Sequence, residues 1–282
     1  MTRLLFIRRM PIKTFYRRRI SRILPAHLAF IAIVTLFLTF AEKKISIAEI
    51  IAAAIFVNNY FGNAVGQSVM PFGHIWSLSV EEHSYIILSL VAALCLRRTV
   101  PSFSCIAALT LLCIIFATTY ASTFDGPKLN FELWIRTEVA AYGILLSGAL
   151  LMVTELRGAA VLPGFGKSAV PTLLAIAVVA HWWSSPPLSQ LMIGVSALAV
   201  AINILPYSHE AVKRFLSMQP LRLLGVWSFS LYLWQQPFYL SYHKGAMSLT
   251  TALLLTFVAG VGSHYCIEKP FRSYLNRTWA RG

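Results

Sequence analysis

Carboxylate and imidazole side chains that could do acid/base chemistry lie close together in residues 74–85, which read HIWSLSVEEHSY. Glu81 and Glu82 are adjacent, and successive side chains on a helix point about 100° apart, so at least one of them is expected to face the protein interior. A carboxylate beside an imidazole such as His74 is suited to proton transfer or to orienting a base. This segment is therefore a candidate catalytic site.

A purely structural explanation covers part of the same segment. Ser79 and Glu82 have the spacing of a capping box, in which the serine accepts from a free backbone N–H at the start of a helix. In this explanation a helix begins near Ser79. The capping box leaves Glu81, Trp76 and His74 unexplained.

Arginines are concentrated in residues 15–25, FYRRRISRILP. Arg18 and Arg22 are four residues apart and share one face of a helix, with Arg19 beside them. Guanidinium groups in this arrangement can bind phosphates through paired hydrogen bonds. The alternative is a positively charged anchor at the cytoplasmic end of a membrane helix.

Two further segments contain polar residues among apolar ones. Residues 225–240 read GVWSFSLYLWQQPFYL, and Gln235 there could hydrogen-bond a sugar-like acceptor; the aromatic residues alone would suit a membrane interface. Near the carboxyl end, Glu268 precedes Arg272 by four residues, which predicts a local ion pair.

The elements that position these residues must be membrane helices. The chain has 282 residues, 57% hydrophobic and only 12% charged, and apolar runs of about 18 or more recur along it. Because lipid offers no hydrogen bonds to the backbone, such runs predict an all-α polytopic transmembrane bundle.

We predict about eight spans, at 24–40, 76–96, 101–120, 134–153, 170–183, 188–205, 223–241 and 248–267. Residues 45–61 are also apolar but include Glu49, whose charge is costly at a helix centre, so we expect an interfacial or re-entrant segment there. With eight spans, 19 of the 24 basic residues fall on one side, which is then cytoplasmic and holds both termini.

The predicted organisation is one membrane domain over 1–282, with a basic cytoplasmic segment at 1–23, a transmembrane bundle at 24–268 and a basic tail at 269–282. The net charge of +14 is thus assigned to topology and not to nucleic-acid binding. The four cysteines lack metal-ligand spacing, so we expect buried thiols and no metal site.

Four segments occur in an order that resembles a known family: FYRRRISRILP, HIWSLSVEEHSY, LGVWSFSLYLWQQP and IEKPFR. They resemble the acyltransferase 3 family of bacterial inner-membrane O-acyltransferases, which move acetyl or other short acyl groups from acyl-CoA to surface saccharides. The resemblance runs from the first residue to about Arg272.

The resemblance implies roles for individual residues. Arg18, Arg19 and Arg22 match the family's arginines for acyl-CoA handling on the cytoplasmic side. The family's WSLSxEE pattern is matched by Trp76, Ser77, Glu81 and Glu82. By this resemblance the chain binds acyl-CoA as a donor substrate, a saccharide acceptor and the lipid bilayer, with no bound cofactor.

Two differences from the family pattern affect these implications. The family begins with two further spans that carry a histidine base, and this chain starts after them, so Glu81, Glu82 and His74 are expected to support a base that is absent here. Gln235 stands where many relatives have histidine. Alternatives are therefore an inactive truncated acyltransferase, a transporter or a non-catalytic membrane partner.

Overall fold

Helices form all the regular secondary structure in the residues that the computed structural model describes, which are 1–43, 45–64, 72–96, 98–124, 126–157, 163–182 and 185–280. The predicted all-α class is confirmed. The helices are α1 (Ile12–Phe40), α2 (Ile47–Ala54), α3 (Asn58–Ala64), α4 (Trp76–Leu94), α5 (Thr99–Thr123), α6 (Gly126–Ile135), α7 (Thr137–Ala140), α8 (Tyr142–Arg157), α9 (Pro163–Ala180), α10 (Pro187–Ser189), α11 (Ser196–Ile204), α12 (Glu210–Leu216), α13 (Gln219–His243), α14 (Leu249–Ser263) and α15 (Lys269–Ala280).

Five stretches among these residues are long and apolar enough to cross a membrane: Ile12–Phe40, Thr99–Thr123, Thr137–Glu155, Pro187–Tyr207 and Leu249–Trp279. The chain is therefore a multi-pass membrane protein, while the count of eight spans and the cytoplasmic termini stay predictions. Lys44, Arg97 and Arg281, which entered the charge count, lie outside the described residues, as do the side chains of Lys128, Arg157 and Lys167.

The basic amino-terminal run is part of a membrane-length helix. α1 has 29 residues and is about 44 Å long, which exceeds a hydrocarbon core of about 30 Å. Its first three turns, which carry the arginines, can therefore extend beyond the apolar region without a break in the helix.

Residues 45–61 do not form a spanning helix. α2 has 8 residues and α3 has 7, and Phe56 between them has a positive φ of 61° that interrupts the helix. His27 of α1 fixes this break, because its Nε2 lies 3.0 Å from the Ala53 carbonyl oxygen and its ring stacks on Phe56. Two helices of this length fit the prediction that the segment does not cross.

The chain divides into two compact units. The first comprises Met1–Met10 and Val80–Met218, and the second comprises Pro11–Ser79 and Gln219–Gly282. The prediction of a single domain over 1–282 stays a prediction.

The second unit has an apolar core formed by α1, the turn before α4, and α13. Its buried members are Ile23, Ala26, Phe30, Ile31, Val34, Ala53, Phe72, Ile75, Leu78 and Leu233. α13 and α14 approach each other closely in the same unit, because a Cβ at Gly260 would lie 2.9 Å from Leu231 Cα. Small residues allow such close helix contacts where lipid gives no hydrophobic drive for association.

The first unit packs α5, α8, α9 and α11 against one another. Close packing again depends on glycine, since a Cβ at Gly143 would lie 2.6 Å from Val195 Cγ1 and one at Gly148 would lie 2.9 Å from Thr2 Oγ1.

The prediction of buried thiols is wrong for three of the four cysteines. Cys113 is buried, but Cys105 and Cys266 are exposed and Cys95 is half-buried. In a membrane protein an apolar run does not indicate burial within the protein, because much of the helix surface faces lipid. All four thiols are free.

Candidate functional site

The predicted arginine face is present on α1. Arg18 and Arg22 are both exposed, one turn apart, whereas Arg19 is half-buried on an adjacent face. Arg17, which the sequence did not single out, donates from Nη1 to the Trp279 carbonyl oxygen at 3.2 Å and so joins α1 to α15. Arg18 and Arg22 therefore remain accessible to a ligand, while Arg17 has a structural contact.

His74 lies in a 3-10 turn, Gly73–Ile75, that leads directly into α4. Its side chain is buried, with the ring 5.5 Å from the ring of Phe30 and 5.1 Å from that of Tyr232. Burial lowers the pKa of His74 to about 4, so the ring is neutral at physiological pH. Neither ring nitrogen has a hydrogen bond of normal geometry among the described residues.

Tyr232 of α13 fixes the start of α4. Its hydroxyl donates to the His74 carbonyl oxygen, and the Ser77 hydroxyl lies 2.9 Å from the same tyrosine oxygen. Because the single tyrosine proton is used on His74, Ser77 acts as the donor. Trp76 is half-buried at the first position of the helix. Sequence reasoning missed Tyr232, which lies 155 residues from Ser77.

The capping-box prediction for Ser79 is wrong. α4 begins at Trp76, so Ser79 lies within the helix, and its buried hydroxyl donates to the Ile75 carbonyl oxygen at 3.2 Å. The preceding 3-10 turn starts the helix three residues earlier than the capping spacing suggests, which removes the structural explanation for Glu82.

The two carboxylates of α4 are both half-buried. Glu81 Oε1 accepts a hydrogen bond from the Tyr85 hydroxyl one turn later. Beside it, His83 Nδ1 lies 2.8 Å from Thr137 Oγ1, which ties α4 to the start of α7 within the first unit. The structure thus gives Glu81 and His83 fixed orientations, and it places Glu82 between them in the chain.

A second set of polar contacts surrounds α7 and was not found from the sequence. The Tyr120 hydroxyl donates to Glu138 Oε1 at 2.7 Å, and Arg136 Nε donates to Glu132 Oε2 at 2.5 Å. Glu132 itself is buried. The spacing of Glu132 and Arg136, four residues apart, is the one signal that could have indicated part of this network.

The predicted ion pair between Glu268 and Arg272 is wrong. Glu268 is 1% exposed, and its Oε2 accepts from the Ser230 hydroxyl at 2.8 Å and lies 3.1 Å from His264 Nδ1. The reason is a π-helical turn, His264–Glu268, that turns the carboxylate toward α13. Such turns are often found at sites of functional or structural importance.

Gln235 is exposed on α13 and lines a groove with Gln236, Tyr239 and Tyr242 on the same helix. Among the described residues, no group of three or more His, Cys, Asp or Glu side chains could hold a metal ion. The side chains around α4 are of the types that take part in acid/base and hydrogen-bonding chemistry, and the guanidinium groups of α1 are of the type that hydrogen-bonds phosphates.

The chain matches only part of the length of its known relatives. The O-acetyltransferase OatA of Staphylococcus aureus (strain NCTC 8325 / PS 47) is 27% identical over 291 residues, which covers 92% of this chain and 47% of OatA. The peptidoglycan O-acetyltransferase OatA of Listeria monocytogenes serovar 1/2a (strain ATCC BAA-679 / EGD-e) is 24% identical over 250 residues, covering 80% of this chain and 40% of that protein. The chain thus spans about half the length of these relatives or less. No solved structure matches it.

A family model described as an acyltransferase domain matches residues 3–267. The match includes the arginines of α1, the segment 74–85 and the groove residues of α13, so the predicted family resemblance is confirmed, and it ends at residue 267, the first residue of the IEKPFR segment. This chain belongs to the acyltransferase 3 family.

Proposed function

We propose that this chain forms the membrane domain of an O-acetyltransferase that moves an acetyl group from acyl-CoA to a hydroxyl of a cell-surface saccharide. The observation that carries the proposal is the fixed orientation of Glu81 within a segment of the family match, where Tyr85 hydrogen-bonds the carboxylate. Support comes from the relatives, which are O-acetyltransferases, one of them of peptidoglycan. The membrane is then the bacterial inner membrane.

The proposed reaction exchanges one bond for another at the acetyl carbonyl carbon. The sugar hydroxyl oxygen attacks this carbon, a base accepts the hydroxyl proton, and the C–S bond of the thioester breaks. The electron pair leaves on the CoA sulfur, which takes up a proton. In this proposal Glu81 orients the histidine base that the family pattern places in its first two spans, and Glu82 and His74 support the same step, because a base is effective only when held within hydrogen-bonding distance of the proton it removes.

Arg18 and Arg22 would hold the phosphates of the donor, with Arg19 beside them and Trp76 and Ser77 contacting substrate nearer the reaction. The exposed pair on α1 presents two guanidinium groups on one face, and guanidinium groups match the geometry of phosphate oxygens. In the predicted orientation, this face lies on the cytoplasmic side, where acyl-CoA is available.

The test replaces both exposed arginines, as Arg18→Gln with Arg22→Gln, in the purified chain. Because charge-assisted hydrogen bonds contribute about 1.5–3 kcal/mol each, we expect the Kd for acetyl-CoA to rise by roughly 100-fold or more. Isothermal titration calorimetry in detergent micelles measures this directly, without any need for turnover.

The matched control is Arg214→Gln with Arg222→Gln, which removes the same charge from two other exposed arginines. This control separates a specific phosphate site from general electrostatic attraction. Equal weakening by both pairs, or no weakening by the first, would contradict acyl-CoA binding at α1 and favour a transporter or a non-catalytic partner.

A further inference from the structure

A groove lies between α13 and α14 in the second unit, and its lining is regular. Gln235, Gln236, Tyr239 and Tyr242 line it from α13, and Leu249, Ala252, Leu253 and Thr256 line it from α14. Both sets have the spacing of one helix face. The groove is half-open, with a volume of about 360 Å³, which is within the range of ligand-binding pockets.

The polar groups of this groove are available for a ligand. Gln235 is exposed and Gln236 half-buried, and neither side-chain amide is hydrogen-bonded to another residue in the described part of the chain. Each amide offers donors and an acceptor, a combination that matches the paired hydroxyls of a sugar. The exposed ring of Tyr239 is stacked on His243, with centroids 6.0 Å apart, and this contact holds it in place.

The inner end of the groove adjoins the segment that carries His74. Gln236 Nε2 lies 3.9 Å from the position that a Cβ on Gly73 would occupy. Pro237 lacks an N–H, so the Leu233 carbonyl one turn earlier has no donor from the helix. A ligand in the groove is therefore adjacent to the turn that precedes the family's WSLSxEE pattern.

We propose that this groove is the binding site for the saccharide acceptor, with Gln235 and Gln236 hydrogen-bonding its hydroxyls and Tyr239 packing against a ring face. The proposal rests on the proposed function for its choice of ligand. The described lining residues include no Lys or Arg, which disfavours the polyanionic acyl-CoA and an anionic lipid head group. An acyl chain alone would leave two neighbouring amides without partners, at a cost in free energy.

The experiment measures binding and transfer separately, with a soluble peptidoglycan disaccharide as the probe. In the double variant Gln235→Ala with Gln236→Ala, we expect the Kd for the disaccharide and the acceptor KM to rise about tenfold or more, because several hydrogen bonds are lost. Acetyl-CoA binding should be unchanged. Gln219→Ala, an exposed glutamine at the start of the same helix, is the control and should change neither value.

Two variants of Tyr239 separate stacking from hydrogen bonding. Tyr239→Phe keeps the ring and preserves the fold, so it should weaken disaccharide binding much less than Tyr239→Ala, which removes the stacking surface. If both variants bind like the unchanged chain, the groove does not hold the saccharide.

The outcomes distinguish this proposal from the proposed function. If the groove variants still transfer acetyl groups and their acceptor KM is unchanged, the groove is not the saccharide site, and the proposed acetyltransferase function still stands. Disaccharide binding that the variants weaken, in a chain that transfers no acetyl group, supports the groove and overturns the acetyltransferase. If the unchanged chain does not bind the disaccharide, the groove is not the saccharide site. The same conclusion follows if the groove variants weaken binding of a labelled phosphatidylglycerol and leave disaccharide binding unchanged.

Discussion

Glu81 is the carboxylate whose surroundings are best defined for a chemical role. It is half-buried, and the Tyr85 hydroxyl donates to it from the next turn of α4. A carboxylate in this setting keeps its orientation and can fix a neighbouring base.

Glu81→Gln retains the size of the side chain and removes its charge. We expect acetyl transfer to fall by about 100-fold or more, within the usual range for loss of an acid/base group, while thermal unfolding is unchanged. Glu155→Gln, at an exposed position in the same unit, is the control. Transfer rates that match between the two variants would exclude Glu81 from the reaction.

His74 makes a pH-dependent contribution to stability. Its pKa is about 4 in the folded chain and about 6.5 when unfolded, so the unfolded state binds the extra proton between these values. The contribution is fully present above pH 6.5 and is lost as pH falls toward 4. Over this window the free energy of unfolding should decrease by about 3 kcal/mol.

His74→Phe keeps an aromatic ring against Phe30 and removes the titrating group. Denaturant unfolding at pH 7 and pH 4.5 should therefore show a smaller loss of stability in the variant than in the unchanged chain. If the two lose the same free energy, then His74 is not buried in its neutral form.

At the scale of elements, the π-helical turn after α14 depends on one buried carboxylate. Ser230 and His264 both bond the same oxygen of Glu268, so this side chain links α13 to the turn before α15. Removing one member of a buried polar set leaves the others without partners.

Glu268→Ala should lower the free energy of unfolding by about 1–3 kcal/mol, the usual cost of leaving buried hydrogen-bonding groups without a partner. Glu210→Ala removes an exposed carboxylate, 78% exposed and paired with Lys213, and should leave stability almost unchanged, because exposed ion pairs contribute little. Unfolding by denaturant in detergent compares the two. If Glu268→Ala lowers the free energy of unfolding as little as Glu210→Ala does, the buried contacts of Glu268 do not stabilise the fold.

α4 illustrates how two sequence signals can disagree about one element. The apolar run predicts a span that begins at residue 76, whereas the capping-box explanation places the start near Ser79. The structure starts the helix at Trp76, because a 3-10 turn and the Tyr232 hydroxyl stabilise an earlier beginning. A contact from a residue so distant in the chain cannot be inferred from local spacing.

At the scale of the whole molecule, the distribution of charge predicts which loops share a side of the membrane. The end of α15 should lie in the cytoplasm with the arginines of α1, and the α13–α14 turn should lie outside. Arg17 already links α1 to the end of α15 by a hydrogen bond to Trp279.

Cysteine labelling in intact cells tests this orientation. With the four native cysteines replaced by alanine, Lys244→Cys should react with a membrane-impermeant maleimide, and Arg277→Cys should react only after the membrane is permeabilised. Both positions are exposed. Reaction of Arg277→Cys in intact cells would overturn the predicted cytoplasmic carboxyl end.

The sequence by itself determined the helical membrane class, the acyltransferase family and the identity of the residues around α4 and α1. These follow from hydrophobic runs and short motifs, which are local properties of the chain. Only the tertiary structure decided that His74 is buried against Phe30, that Glu268 bonds Ser230 and His264 instead of pairing with Arg272, and that Gln235 lines a groove. Each of these depends on contacts between helices, and a single chain pattern does not specify which faces of its helices meet.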